Sequence, residues 1–318
     1  MTRTSGYDIV GDIHGQADAL QALLAKLGYR ERGCVWKYPG GERRAIFVGD
    51  YIDRNPHARH VLDIMKRMTE EGEALAVMGN HEFNAVAYYT EDPEHPGEYL
   101  RPHSDKNREQ HSVFLEEMGE NEATHDEAIT WFRTLPMWLD LGALRVVHAS
   151  WVDRYRAVVE READPDAHLS DALLVKASRR SSEEFDAIEC LLKGLEVHMP
   201  EGVGYRDSYG TWRMKARLCW WLAEAPKLLR DAILGSPAMV EQIGDAPWSG
   251  EWPDNAGYPA DAPPVFIGHY WLDGEPEPQA ENVVCVDYSA AKRDKKLVAY
   301  RWDGEQQLTK EHFVSVPT

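Results

Sequence analysis

Cysteine is scarce and scattered. Four residues in 318 (Cys34, Cys190, Cys219 and Cys285) lie far apart, with no C-x-x-C pair among them. That spacing excludes a disulfide framework or a thiolate zinc site and fits reduced, partly buried thiols. Long apolar runs are missing as well. None approaches the roughly 18 to 20 residues that a membrane helix needs, and the polar opening Met1–Gly6 lacks the basic-then-apolar order of a signal sequence. Basic residues are in deficit, 35 Lys and Arg against 54 Asp and Glu, for a formal net charge of −19. This balance excludes a globally basic chain that grips extended nucleic acid through its phosphates, while a local basic groove stays open. Repeats and low-complexity tracts are absent too. The expectation is a cytoplasmic protein with no membrane partner.

The chain is rich enough in apolar residues, 43%, to bury a sizeable core. A local design recurs: a short apolar run, then Gly or another small residue, then a metal-competent side chain. Tyr7–Val10 precedes Gly11-Asp12-Ile13-His14, Ala45–Val48 precedes Gly49-Asp50, and Ala74–Met78 precedes Gly79-Asn80-His81. Leu144–Val147 precedes His148, and Val265–Ile267 precedes Gly268-His269. Each run reads as a buried strand. Between the first strands, Ala17, Leu20, Leu23, Leu24 and Leu27 recur at helical steps before the stop signal Gly28, and Ala58, Val61, Leu62, Met65 and Met68 repeat the pattern before Gly72. Strand and helix alternate as in an α/β domain, whose ligands collect beyond the carboxyl ends of the strands. We expect one domain over 1–318. Within it, 88–126 is a polar inserted loop and helix, and 151–264 is a helical cap or insertion. Strands Val283–Val286 and Leu297–Trp302 close the sheet.

The residues at the strand ends share a chemistry. Asp12, His14, Asp50, Asn80, His148 and His269 supply two carboxylates, one amide oxygen and three imidazoles. One ion takes about four to six ligands, often including water, so this set suits two ions sharing a bridging carboxylate. Oxygen and imidazole without thiolate suit Mn²⁺, Fe or Zn²⁺.

The motifs G-D-I-H-G (Gly11–Gly15), G-D-Y-I-D-R-N (Gly49–Asn55) and G-N-H-E (Gly79–Glu82) resemble the three signatures of the PPP-type metallophosphoesterases of the calcineurin-like superfamily. That group includes serine/threonine protein phosphatases and bacterial diadenosine tetraphosphatases. The resemblance covers about residues 7–85, 144–150 and 265–302. It implies an α/β calcineurin-like fold, central mixed β-sheets sandwiched by helices, with a helical cap insertion. It also implies two divalent ions, Mn²⁺ first. Asp12 and His14 would hold one ion, Asn80, His148 and His269 the other, and Asp50 would bridge both. His81 resembles the family's general acid, Asp53 its orienting partner, and Arg54 the group that holds phosphoryl oxygens. The implied mechanism is in-line attack by metal-bound hydroxide.

Several positions depart from the family pattern. Asn55 stands where Gly is usual, so left-handed backbone after Arg54 would fall on a residue that tolerates it. Ala149-Ser150 follows His148, and Tyr270 follows His269. Glu82 and Asp287 read as structural, and His57 and His60 as peripheral. In the cap, Lys193 and Arg206 are candidates for a second phosphate contact, and Trp212, Trp220 and Trp221 read as one helix packed in the core. Three functions follow: a serine/threonine-phosphatase-like phosphomonoesterase acting on a phosphoprotein or small phosphomonoester, a dinucleoside polyphosphate hydrolase, and a non-catalytic binding module. The intact ligand set speaks against the third.

Overall fold

A computed structural model describes residues 6–119, 123–206, 210–235 and 237–318. The polar N-terminus before Gly6 and part of the 88–126 stretch, 120–122, lie outside the described residues. Two mixed sheets form the centre. In the five-stranded sheet the order is Phe313–Pro317, Lys296–Trp302, Gly6–Val10, Arg43–Phe47, Ala74–Ala76, and the last three strands run parallel. In the four-stranded sheet the order is Val283–Cys285, Val265–Ile267, Arg145–Val147, Trp138–Asp140, and the first three run parallel.

The apolar runs become strands because both faces are covered. Successive side chains point to opposite sides of a sheet. Ile9, Ile46, Val146, Phe266 and Val284 meet in one cluster between the two sheets. Their neighbours Val10, Phe47, Val147, Val265 and Cys285 belong to the larger cluster that holds the helices. The expected helices form there: α1 over Ala17–Leu27 and α2 over Ala58–Glu70, each burying its predicted apolar stripe. Helix α3, Asn80–Tyr89, starts inside the third motif and runs into the polar stretch. Helices α4 (Asp105–Met118) and α5 (Ala123–Phe132) follow.

Residues between His148 and Val265 leave the sheet and return to it. Helices α6 (Asp153–Glu162), α7 (Asp171–Ala177) and α8 (Glu183–Lys193) come first. The second half is less helical than the sequence predicts. Trp212 sits exposed in the strand Trp212–Arg213, and Trp220 is fully buried just after the strand Lys215–Leu218. The expected Trp-bearing helix does not form, because apolar burial there has period two: Ala216 and Leu218 point inward while Lys215 is exposed.

Candidate active site

Each expected ligand lies one to four residues past a parallel strand, and the two sheets bring those strand ends to one cleft. Asp12, His14, Asp50, Asn80, His148 and His269 are all buried. Close approach is built into the backbone. A Cβ on Gly268 would collide with the Asp12 carboxylate, and one on Gly49 would lie 2.6 Å from His148 Nδ1. His14, Asp50, Asp53, Arg54, His269 and Trp271 all adopt positive φ without being glycine. Such strain persists only where the surroundings over-determine it, and it gathers at functional sites. Near the end of the second motif the left-handed residues are Asp53 and Arg54, not Asn55. The Asn55 side-chain amide instead donates to the carbonyls of His14 and Ala291.

Asp50 is the centre of the arrangement. Its carboxylate lies 3.6 Å from His14 Nε2 and 3.3 Å from His148 Nε2. Two groups of possible ligand atoms, each within 4.8 Å, share it: His14, Asp50 and His81, and Asp50, His148 and His269. Asp12 falls outside both groups. Its oxygens accept the backbone N–H of His269 at 3.0 and 3.2 Å. Burial raises the Asp12 carboxyl well above the usual range, and the charges of Asp287 and Asp50 add to that. Burial would raise Asp50 too, but His148, His81 and His14 hold it well below.

The ring nitrogens decide what this pocket can bind. His148 Nδ1 donates to the Val48 carbonyl at 2.7 Å, and His14 Nδ1 to the Ile52 carbonyl at 2.9 Å. In the neutral ring that leaves a lone pair on Nε2. His148 Nε2 then faces Asp50 Oδ1 and Asn80 Oδ1, each at 3.3 Å. Three acceptors cannot converge unless a proton or a cation stands between them. His14 Nε2 and both ring nitrogens of His269 are buried without a hydrogen-bond partner. Burial pushes His14 down to about 4, helped by the charges of His81 and Arg54, and lowers His269 as well, helped by Arg217. Neutral His14 and His269 beside the Asp50 carboxylate are donors of the kind a divalent cation takes, whereas Asp50 raises His148 against the effect of burial.

Beside this pocket, His81 and His111 share one carboxylate. His81 Nδ1 lies 2.5 Å from Asp53 Oδ2, and His111 Nδ1 lies 2.9 Å from Asp53 Oδ1. Burial opposes the charged form of both acid and base. Even so, His111 and His81 hold Asp53 below the usual carboxylate range, and Asp50 and Asp53 raise His81. Glu82 is structural, as the sequence predicts: it accepts the N–H groups of Asp50, Tyr51 and Gly79 at 2.8 to 3.1 Å. Asp287 accepts from the N–H groups of Trp271 and Ser289.

The cleft above these residues has a volume of about 370 Å³ and is lined by six cationic side chains: Arg54, Arg101, Lys106, Arg180, Lys193 and Arg217. Arg54 lies over the Trp271 ring at 5.5 Å. Of the two cap candidates, Lys193 reaches the cleft, where it pairs with Glu189, whereas Arg206 bonds to the Gly210 carbonyl on the exposed surface. Arg101, His111 and Arg217 carry no motif in the sequence.

Comparison with known proteins agrees with this geometry. A family model described as calcineurin-like phosphoesterase matches residues 7–196, well over half of the chain. The chain belongs to the calcineurin-like phosphoesterase family. The phosphoesterase is 31% identical over 147 residues, 45% of its length, to the bis(5'-nucleosyl)-tetraphosphatase PrpE [asymmetrical] of Bacillus subtilis, covering 57% of that protein. It is 41% identical over 75 residues, 24% of its length, to the protein of the same name from Halalkalibacterium halodurans, covering 30% of it. These matches thus span from about a third to just over half of the relatives' length. A solved protein serine/threonine phosphatase from Saccharomyces cerevisiae shares the fold, with a TM-score of 0.52 at 13% identity over 100% of this chain and 81% of that one. Among the described residues, no helix is long and apolar enough to cross a membrane.

Proposed function

We propose that this phosphoesterase binds two divalent cations about Asp50 and hydrolyses phosphate esters or anhydrides with them. One observation carries the reading: His148 Nε2 faces Asp50 Oδ1 and Asn80 Oδ1 at 3.3 Å across a gap that a proton or a cation fills, beside orphaned nitrogens on His14 and His269. Asp12, His14 and Asp50 would hold one ion, and Asp50, Asn80, His148 and His269 the other. Mn²⁺ suits these ligands first, with Fe or Zn²⁺ as alternatives. Such ions, when bound, acidify water and polarise the phosphoryl group.

The remaining work falls to the chain's own side chains. Arg54 presents a planar fork to phosphoryl oxygens from the rim of the cleft. His81 is the general acid. With Nδ1 committed to Asp53, its Nε2–H is left to protonate a departing oxygen. Asp53, with one oxygen given to each of two histidines, favours the charged imidazole and fixes its ring.

Two substrate classes suit this centre. The first is a serine or threonine phosphomonoester, as in a protein phosphatase. The second is a dinucleoside polyphosphate, and two observations favour it: the cationic lining of the cleft in a chain of net charge −19, and the name borne by the Bacillus relatives. Side-by-side turnover of a phosphoserine peptide, p-nitrophenyl phosphate and diadenosine tetraphosphate with Mn²⁺ tests the reading. Higher kcat/KM on diadenosine tetraphosphate assigns the anhydride, higher kcat/KM on the peptide assigns the monoester, and no turnover of any of them removes both.

A further inference from the structure

Arg101 is a cation without a counter-ion. It follows the proline-containing loop after α3, where its backbone N–H is fixed to the Ala87 carbonyl at 2.9 Å. Its guanidinium donates to two neutral amides, Asn84 Oδ1 at 2.8 Å and Gln110 Oε1 at 3.0 Å. Among the described residues no carboxylate pairs with it. The two that act on its charge from a distance, Asp53 and Glu189, are already committed, Asp53 to His81 and His111 and Glu189 to Lys193. Burial disfavours the charged guanidinium and lowers its pKa. A guanidinium carries five N–H donors, so some remain for a ligand, and the group faces the cleft.

Its place in the cleft is as informative as its charge. Asn84 lies on α3 one turn beyond His81, and Gln110 adjoins His111 on α4, so the amides that aim Arg101 sit beside the histidines flanking Asp53. Lys106 and Asn107 line the same wall. Arg54 stands apart, over Trp271. An anion held by Arg101 therefore lies on the side where His81 would release the departing oxygen. It is not the group under attack.

We propose that Arg101, with Lys106, forms a subsite for a second phosphoryl group, carried by the leaving group. This rests on the phosphoesterase reading above. A planar fork matches phosphoryl oxygens with two parallel bonds, which an ammonium does not. The substrate is then one whose departing half is itself phosphorylated.

The test compares wild type, R101Q and R101K, all loaded with Mn²⁺, on diadenosine tetraphosphate, p-nitrophenyl phosphate and a phosphoserine peptide with flanking acidic residues. Affinity for ADP is measured by calorimetry on the same chains without added metal, and thermal melts check folding. In R101Q the ratio of kcat/KM for diadenosine tetraphosphate over p-nitrophenyl phosphate should fall about tenfold or more, and ADP should bind at least about fivefold more weakly. R101K should recover part of both. An unchanged ratio with unchanged ADP affinity in folded R101Q overturns the subsite. So does a loss confined to a phosphoserine peptide with flanking acidic residues, which would assign Arg101 to a carboxylate. Failure of the wild type on every phosphate compound, with ADP still weakened in R101Q, sinks the catalytic reading and leaves the subsite standing.

Discussion

His81 and His111 divide the two oxygens of Asp53 between them, and this sets what each should do when removed. H81A should lose about a hundredfold or more in kcat on alkyl phosphates, whose leaving group needs a proton, and far less on p-nitrophenyl phosphate. H111N should lose less, with the same dependence on leaving group, because Asp53 keeps His81 but is no longer held from its other side. Rates on a series of phenyl phosphates of graded leaving-group pKa check both. Equal losses across the series would mean that neither acts through proton delivery. At this scale the sequence is only partly legible. Asp12, Asp50, Asn80 and His269 announce themselves because each follows an apolar strand and a glycine, and His148 because it follows an apolar strand directly. His111 does not. It is one histidine among several in a polar stretch, and its pairing with Asp53 exists only once α4 folds back over the second motif. Arg101 is silent for the same reason, since a loop closed by contacts distant in sequence has no periodicity to read.

Elements give a different account. The apolar runs and helical stripes place the sheets and α1 to α2 closely, since period and burial agree there. The segment after α8 is misread because its aromatic residues lie at helical spacing while its buried residues, Ala216 and Leu218, alternate. One cross-element tie belongs to this scale. Arg179, between α7 and α8, forks onto both oxygens of Asp92 in the loop after α3, at 2.5 and 2.7 Å. That fork holds the Asp92 carboxyl below its ordinary value of 3.8. A depressed carboxyl pKa stabilises the folded state fully above the ordinary value, and that contribution is lost as the pH falls below it. D92N should therefore speed amide hydrogen exchange in the loop between α3 and α4 at neutral pH, while wild type shows the same loosening only in acid. Identical exchange in both proteins at neutral pH would make the tie incidental.

For the whole molecule, the telling contrast is between a net charge of −19 and a cleft lined by six cationic side chains. Composition reports the first and cannot report the second, because Arg54, Arg101, Lys106, Arg180, Lys193 and Arg217 come from five separate stretches of chain. The buried ligand cluster also has a global consequence. A cation that binds only the folded state stabilises it by mass action, so chelation should lower the melting temperature and abolish turnover together, and Mn²⁺ should restore both. Loss of activity without any shift in melting would place the metal elsewhere. The most direct test of the central claim is an anomalous-scattering map from crystals grown with Mn²⁺. Two peaks roughly 3.5–4 Å apart on either side of the Asp50 carboxylate are the expected result. A single peak, or none within reach of Asp50, would contradict it.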